Sequence, residues 1–252
     1  MLKINNLFCG YGGDDIVKNV SFDCNVGDCV AIIGPNGCGK TTLLRAINGL
    51  LPYKGSIQLF GREVFHLKRQ EIAAEMAMLA QISSIYFDYS VYETVSLGRY
   101  LKAKNHAFFS HSDNDEIVLK CLRDAGLEDI RDRPITELSG GQLQRVFLAR
   151  TFAQEPKIIL LDEPTNFLDI RFQMELSGNL KSWLDEGGHT IIGIFHDLNV
   201  ALEISNKCLL LNSGETVAFG ETGEVLKSDE LNGVYGCDVK KFMLNSLGKW
   251  KN

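Results

Sequence analysis

The sequence predicts an α/β fold: a parallel-sheet core, a small antiparallel β subdomain and an inserted helical subdomain. Three observations carry this. The apolar run Val30-Ala31-Ile32-Ile33 passes straight into a glycine-rich turn and then into a helix ended by Asn48-Gly49 and Pro52. Strand-like segments 158–161 and 190–195 flank a helical stretch with Phe172, Leu176, Leu180 and Trp183 on one face, the strand-helix-strand order of a parallel crossover. Between these, from about residue 90 to 154, the pattern is helical throughout.

In the helical stretch Ser90 and Glu93 have the spacing of a capping box, and Ile117, Val118, Cys121, Leu122 and Ala125 form a stripe closed by Gly126. Short β-type runs at the start, with Ser56-Ile57-Gln58-Leu59-Phe60, predict a small antiparallel sheet. Segments 207–211 and 216–219, joined by Asn212-Ser213-Gly214-Glu215, predict a hairpin, with two short helices after it. The expected organisation is one domain over 1–240, with the core and β lobe in 1–80 and 156–220 and the helical subdomain in 82–154. Residues 221–252 then form a short C-terminal helical extension.

With 252 residues, 45% hydrophobic and 23% charged, the composition is that of an ordinary globular chain. A net charge of −6 gives no diffuse positive field for a phosphate backbone, so nucleic acid is not expected as the main partner. No apolar run approaches the roughly 18 residues needed to span a bilayer, and Met1-Leu2-Lys3-Ile4-Asn5-Asn6 carries no export signal, so a cytoplasmic location is expected. Seven cysteines without a C-x-x-C pair point to reduced thiols rather than to zinc or disulfides.

The segment Gly34-Pro35-Asn36-Gly37-Cys38-Gly39-Lys40-Thr41-Thr42 contains the spacing G-x-x-x-x-G-K-[ST]. Its glycines let successive backbone N–H groups turn inward around a phosphate, where a Cβ would obstruct them. Lys40 then reaches the β- and γ-phosphates, the Thr41 hydroxyl meets Mg²⁺, and the following helix points its N-terminus at the anion. Cys38, close to Lys40 and to that helix start, is expected to favour the thiolate and to react quickly with maleimide. Asp162 and Glu163 follow the apolar strand at 158–161. On an isolated turn such a pair is simply solvated; at the carboxyl end of a buried strand, downstream of a phosphate loop, Asp162 suits Mg²⁺ and Glu163 suits a general base on water.

Leu138-Ser139-Gly140-Gly141-Gln142 opens a second helix and has a chance expectation on the order of 1 in 3,000 in such a chain. Ser139 and Gln142 would form a capping box in any protein. The paired glycines weaken a helix start that needs no ligand, and so mark a second anion site. These residues resemble the ABC signature motif. The resemblance covers about residues 1 to 240 and implies an ATPase with a P-loop NTPase core, an antiparallel β subdomain and a helical signature-motif subdomain, using ATP and Mg²⁺. It implies a head-to-tail homodimer, in which the signature of one copy caps the γ-phosphate held by the other. It also implies polytopic membrane permease subunits as partners, an extracytoplasmic substrate-binding protein as an indirect one, and a peripheral place on the cytoplasmic face of the cell membrane.

Other positions follow from the same resemblance. Tyr11 is similar to the aromatic that stacks on adenine, Asp169 to the loop that crosses to the partner's site, and His196 to the switch histidine at the γ-phosphate. Gln81 is similar to the glutamine that senses γ-phosphate and Mg²⁺ and relays to the membrane subunit, although the family often has Pro where Ala80 stands. The segments Ser90-Val91-Tyr92-Glu93-Thr94-Val95, Leu97-Gly98-Arg99, His196-Asp197-Leu198-Asn199 and Tyr235-Gly236-Cys237-Asp238-Val239 resemble importers of iron-siderophore, heme or cobalamin compounds. Zinc or manganese importers and non-transport ABC ATPases remain as alternatives. Twin cassettes or long heptad arms, which would favour the latter, are missing from the sequence.

Overall fold

A computed structural model describes residues 1–80, 88–105, 111–166 and 168–251. The first strands are β1 (Leu2–Cys9), β2 (Val17–Cys24) and β3 (Cys29–Ile33), followed by helix α1 (Lys40–Ile47). Next come β4 (Tyr53–Leu59), β5 (Arg62–Glu63), α2 (Arg69–Glu75) and β6 (Met76–Leu79), then α3 (Val91–Ser96), α4 (Tyr100–Asn105), α5 (His111–Asp124) and α6 (Gly140–Ala153). The chain continues through β7 (Ile158–Asp162), α7 (Ile170–Asp185), β8 (Thr190–Ile194), α8 (Leu198–Ile204), β9 (Lys207–Asn212) and β10 (Glu215–Glu221). It closes with α9 (Thr222–Val225), α10 (Asp229–Tyr235) and α11 (Val239–Gly248). These elements form two compact units, one of Met1–His66 with Ile192–Asn252 and one of Leu67–Ile191.

In the first unit β2, β1, β4 and β5 form the antiparallel sheet. Leu2, Ile4, Leu7 and Cys9 of β1 and Val17, Val20, Phe22 and Cys24 of β2 are buried, in a largely alternating pattern suited to a half-buried strand. The register slips where Asn6 and Asn19 both take positive φ, and their side chains hydrogen-bond each other at 2.8 Å. Strand β3 is buried along its whole length and pairs in parallel with β9, which continues antiparallel into β10. The hairpin turn is tighter than the four residues expected: only Ser213 and Gly214 lie between the strands, with φ of 50° and 86°. Positive φ at both positions matches the strand twist. Three helices rather than two follow the hairpin.

In the second unit β6 pairs in parallel with β7, which is buried throughout. The helical stripe resolves into a separate apolar cluster joining α3, α5 and α6 through Val91, Val95, Val118, Leu122, Leu143 and Val146. Glu93 and Ser90 make both capping-box bonds, at 3.1 and 2.8 Å. Gly98 has a packing reason, since a Cβ there would lie 2.4 Å from the Arg150 carbonyl oxygen. Arg99 beside it is 3% exposed and donates to the Ala153 carbonyl and the Glu155 carboxylate at 2.8 and 2.6 Å. With Nε donating to the Asn114 side chain at 3.1 Å, these partners serve two of the three guanidinium nitrogens, while the other terminal nitrogen is buried without a hydrogen bond.

Gly214 joins three segments of the first unit. Its amide donates to the Cys38 carbonyl at 3.0 Å, its carbonyl accepts from Lys18 at 2.8 Å, and a Cβ would sit 1.9 Å from the Ile16 carbonyl oxygen. Gly12 also has positive φ, at 92°, but nothing lies within 4 Å of its would-be Cβ. Gly12→Ala should therefore cost about 1 kcal/mol from backbone strain alone. Gly214→Ala should cost about 3 kcal/mol or more, because overpacking adds to the strain. Urea midpoints of the two variants measure the difference, and equal midpoints would refute the close approach at Gly214.

Candidate nucleotide-binding site

The glycine loop is built around the Lys40 side chain. Lys40 is 6% exposed, and its ammonium donates to the carbonyls of Gly34 and Pro35, both at 2.8 Å. A buried cation needs such partners. Gly34 has φ 146°, and a Cβ on it would meet the Leu211 carbonyl oxygen at 2.1 Å and the Cys38 sulfur at 2.9 Å. Gly37 and Gly39 also have positive φ, 78° and 104°, which L side chains rarely adopt. Asn36 and Gly37 form the exposed mouth of the loop. Thr41 and Thr42 continue in the first turn of α1, with Thr42 buried and its carbonyl accepting from the Cys9 sulfur at 4.0 Å. No side chain caps α1 at Gly39.

Two more expected residues belong to this unit. The Phe195 amide donates to the Ile32 carbonyl at 3.4 Å, which seats the exposed His196 beside the strand that feeds the loop. Asp197 next to it accepts from the Asn199 amide at 2.8 Å and caps α8, a local reason for the Asp-x-Asn spacing. Tyr11 is 54% exposed, its hydroxyl accepts from Arg45 of α1 at 3.0 Å, and the same guanidinium lies over its ring, 6.0 Å from the centroid. A contact made by Tyr235, quoted above only within an importer-like segment, was not anticipated from sequence. The Tyr235 phenol at the end of α10 hydrogen-bonds the Gly34 backbone, and burial raises it above the usual phenol range. Neither that segment nor the Ser228-capped helix before it carries a sequence signal for this contact.

The second unit carries the acidic pair and the signature. Asp162 ends β7 and is 2% exposed. Glu163 follows with φ 56°, unusual for a residue with a side chain, and its carboxylate accepts from the Asn166 amide at 2.5 Å. Asn166 thus holds Glu163 and was missed from sequence, although it stands three positions on. At the start of α6 the Ser139 hydroxyl accepts from the Gln142 amide at 3.3 Å, while Gln142 accepts from the Ser139 amide at 3.0 Å. Gly140 and Gly141 form the first turn, and Ser139 and Gly140 are exposed. Gln144, one turn further and 4% exposed, donates to the Pro164 carbonyl at 3.2 Å and so ties the signature helix to the turn after Glu163. A buried amide on an otherwise apolar helix face was its only sequence signal. Asp169 accepts from the Phe172 amide at 3.0 Å and caps α7. Gln81 lies outside the described residues.

The expectation for Cys38 is reversed. Its side chain is 5% exposed, and burial pushes the thiol up from its ordinary value of 9.0. Lys40 and the loop amides oppose this without cancelling it. Burial likewise lifts Cys9 and Cys121 to about 11 and Cys29 and Cys208 to about 12. Cys237 is the exposed thiol. Maleimide at neutral pH should label Cys237 first, and Cys237→Ser should remove the fast phase of labelling. A fast phase that survives in that variant and disappears in Cys38→Ser would restore the reactive-loop reading.

The family model for the ABC transporter matches residues 17–166. The ferric enterobactin transport ATP-binding protein FepC of Escherichia coli (strain K12) is 36% identical over 238 residues, covering 93% of this chain and 87% of that protein. The uncharacterized ABC transporter ATP-binding protein YvrA of Bacillus subtilis (strain 168) is 36% identical over 250 residues, 98% of this chain, and this chain spans 56% of its length. Among solved structures, a dimeric post-hydrolysis state of the ATP-binding cassette MJ0796 bound to ADP and Pi superposes with a TM-score of 0.79 at 28% identity. That match covers 88% of this chain and 99% of the other. With a phosphate loop, a strand-end acidic pair and a signature helix in one sequence, the chain belongs to the ABC transporter family and is one of its ATPases.

Proposed function

We propose that the chain is the nucleotide-binding subunit of an ABC importer, energising a separate membrane permease for an iron-siderophore, heme or cobalamin compound. The observation that carries it is the presence of two backbone anion sites in one chain: the loop around Lys40 and the exposed, Ser139-capped start of α6. The import class rests on the likeness to FepC and on the segments quoted above. The functional division that goes with this reading is a core and β lobe in 1–80 and 156–220, a helical subdomain in 82–154 and an extension in 221–252.

ATP binding is assigned to 34–42, with Tyr11 against adenine. The Lys40 ammonium exchanges its carbonyl partners for phosphate oxygens, and Ser139, Gly140, Gly141 and Gln142 of a second, head-to-tail copy close on the γ-phosphate. Glu163, oriented by Asn166, accepts the proton of the attacking water as the bond from γ-phosphorus to the bridging oxygen breaks, leaving ADP and phosphate. His196 steadies the γ-phosphate and Asp169 meets the partner copy. Mg²⁺ would supply charge neutralisation, held by Thr41, Asp162 and Gln81. Thr41 and Asp162 are hard oxygen donors, and no cluster of three or more His, Cys, Asp or Glu exists among the described residues. Such a set fits a cation bound mostly through phosphate and water.

The permease surface is assigned to the helical subdomain and the region of Gln81. A groove of about 460 Å³ there is lined by Tyr89, Tyr92, Leu97 and Tyr100 among others, and Tyr100 is 61% exposed. Among the described residues no helix is long and apolar enough to cross a membrane; the peripheral place proposed, on the cytoplasmic face, rests on the likeness to FepC.

Glu163→Gln should keep ATP affinity and lower kcat by about 10²–10⁴-fold, because the amide cannot accept the proton. Sizing with Mg-ATP should then show a stable dimer. A monomer at saturating nucleotide would contradict the closed-dimer reading. Separately, Lys40→Ala should lose nucleotide binding, whereas Ser139→Arg should bind ATP as a monomer and not hydrolyse it. If fluorescent-nucleotide titrations show the same loss of affinity in both, the signature does not act in trans.

A further inference from the structure

The turn from β7 to α7 carries Glu163 at its start and Asp169 at its end, and side-chain amides hold it from both neighbouring helices. Glu163 has φ 56°, a conformation that a residue with a side chain keeps only when its surroundings fix it. Inside the turn the Asn166 amide donates to the Glu163 carbonyl and the Leu168 amide to the Thr165 carbonyl, both at 3.2 Å. From α7 the Gln173 side chain donates to the Leu168 carbonyl at 3.1 Å. From α6 the Gln144 side chain donates to the Pro164 carbonyl at 3.2 Å. Gln144 is 4% exposed and Pro164 is buried, so without this donor the carbonyl stands in the interior and away from solvent.

Two sites meet at this bond. Ser139 and Gly140, the exposed start of α6, serve the partner's nucleotide on the reading above, whereas Glu163 serves the nucleotide of its own chain. Gln144 stands one turn along the same helix and grips the residue next to Glu163. The proline ring fixes φ at 164, which removes one of the torsions by which that carbonyl and the Glu163 backbone could move apart. A base must be held close to its working geometry, since small displacements of a reacting group slow the step steeply. We propose that Gln144 is a positioning residue for hydrolysis: although its helix begins at the partner's nucleotide, its amide holds the Glu163 turn of its own chain in place. This rests on Glu163 as the base. Each signature helix then touches both sites of the dimer, one through its first residues and the other through Gln144.

The test uses the full chain. Gln144→Met, close in size but without the donor, should keep its fluorescent-nucleotide affinity and lower kcat on the order of 10- to 100-fold. Gln144→Leu repeats the comparison if the methionine variant does not bind nucleotide. Added to Glu163→Gln, Gln144→Met should leave the residual single-turnover rate unchanged, because a residue that acts through the base then has nothing to position. Mixtures show which site it serves. A limiting Gln144→Met copy in excess Glu163→Gln chain should hydrolyse ATP as slowly as Gln144→Met does alone. A limiting wild-type copy should be equally fast in excess Glu163→Gln and in excess Glu163→Gln, Gln144→Met. The opposite pattern would put Gln144 in the service of the partner's site and overturn the proposal. So would wild-type kcat in a Gln144 variant that binds nucleotide, or a further loss on top of Glu163→Gln. An inactive Glu163→Gln beside a fully active Gln144→Met sinks this inference alone, whereas a fully active Glu163→Gln sinks the assignment of the base.

Discussion

The buried Lys40 ammonium is the constraint on which the loop depends. With the side chain 6% exposed and both its partners backbone carbonyls, the loop must fold back so that Gly34 and Pro35 turn their oxygens inward. That turn requires positive φ at Gly34, Gly37 and Gly39, and it brings Gly34 so close to Leu211 that no side chain fits. The opposite side of the loop is fixed by the hairpin, through the Gly214 amide on the Cys38 carbonyl. A single cation is thus stabilised by a backbone that glycines alone allow. The same inward-turned geometry is what an anion needs, so one set of constraints serves both the resting protein and its ligand.

A similar economy governs the second unit. The strained backbone at Glu163 persists because its surroundings over-determine it: Asn166 bonds the carboxylate, and Gln144 bonds the next carbonyl at Pro164. Gln144 sits on the helix whose first residues are the signature, so the start of α6 and the turn bearing Glu163 cannot shift independently of each other. Below them the α3–α5–α6 cluster supplies an apolar base of its own, with Arg99 buried at its edge against Glu155. Short segments that resemble a subfamily therefore have packing reasons here, at Gly98, Arg99, Asp197 and Asp238, separate from any contact with cargo.

Where an element or a cap is formed by neighbours along the chain, the sequence alone determined it. The β3-loop-α1 order, the capping boxes at Ser90 and Ser139, the parallel β6–β7 pair's buried strand and the apolar stripe of α5 all follow from spacings of a few residues, because helix and strand periods act locally. The tertiary structure decided what depends on residues far apart. The Cys38 thiol is raised rather than lowered, since burial by the surrounding fold outweighs the nearby cation that spacing made visible. Gly214 and Tyr235 reach the phosphate loop from segments about 180 to 200 positions later, and Gln144 meets Pro164 across a helix and a strand. Periodicity carries no record of such contacts, because they are set by which surfaces pack together rather than by which residues follow one another.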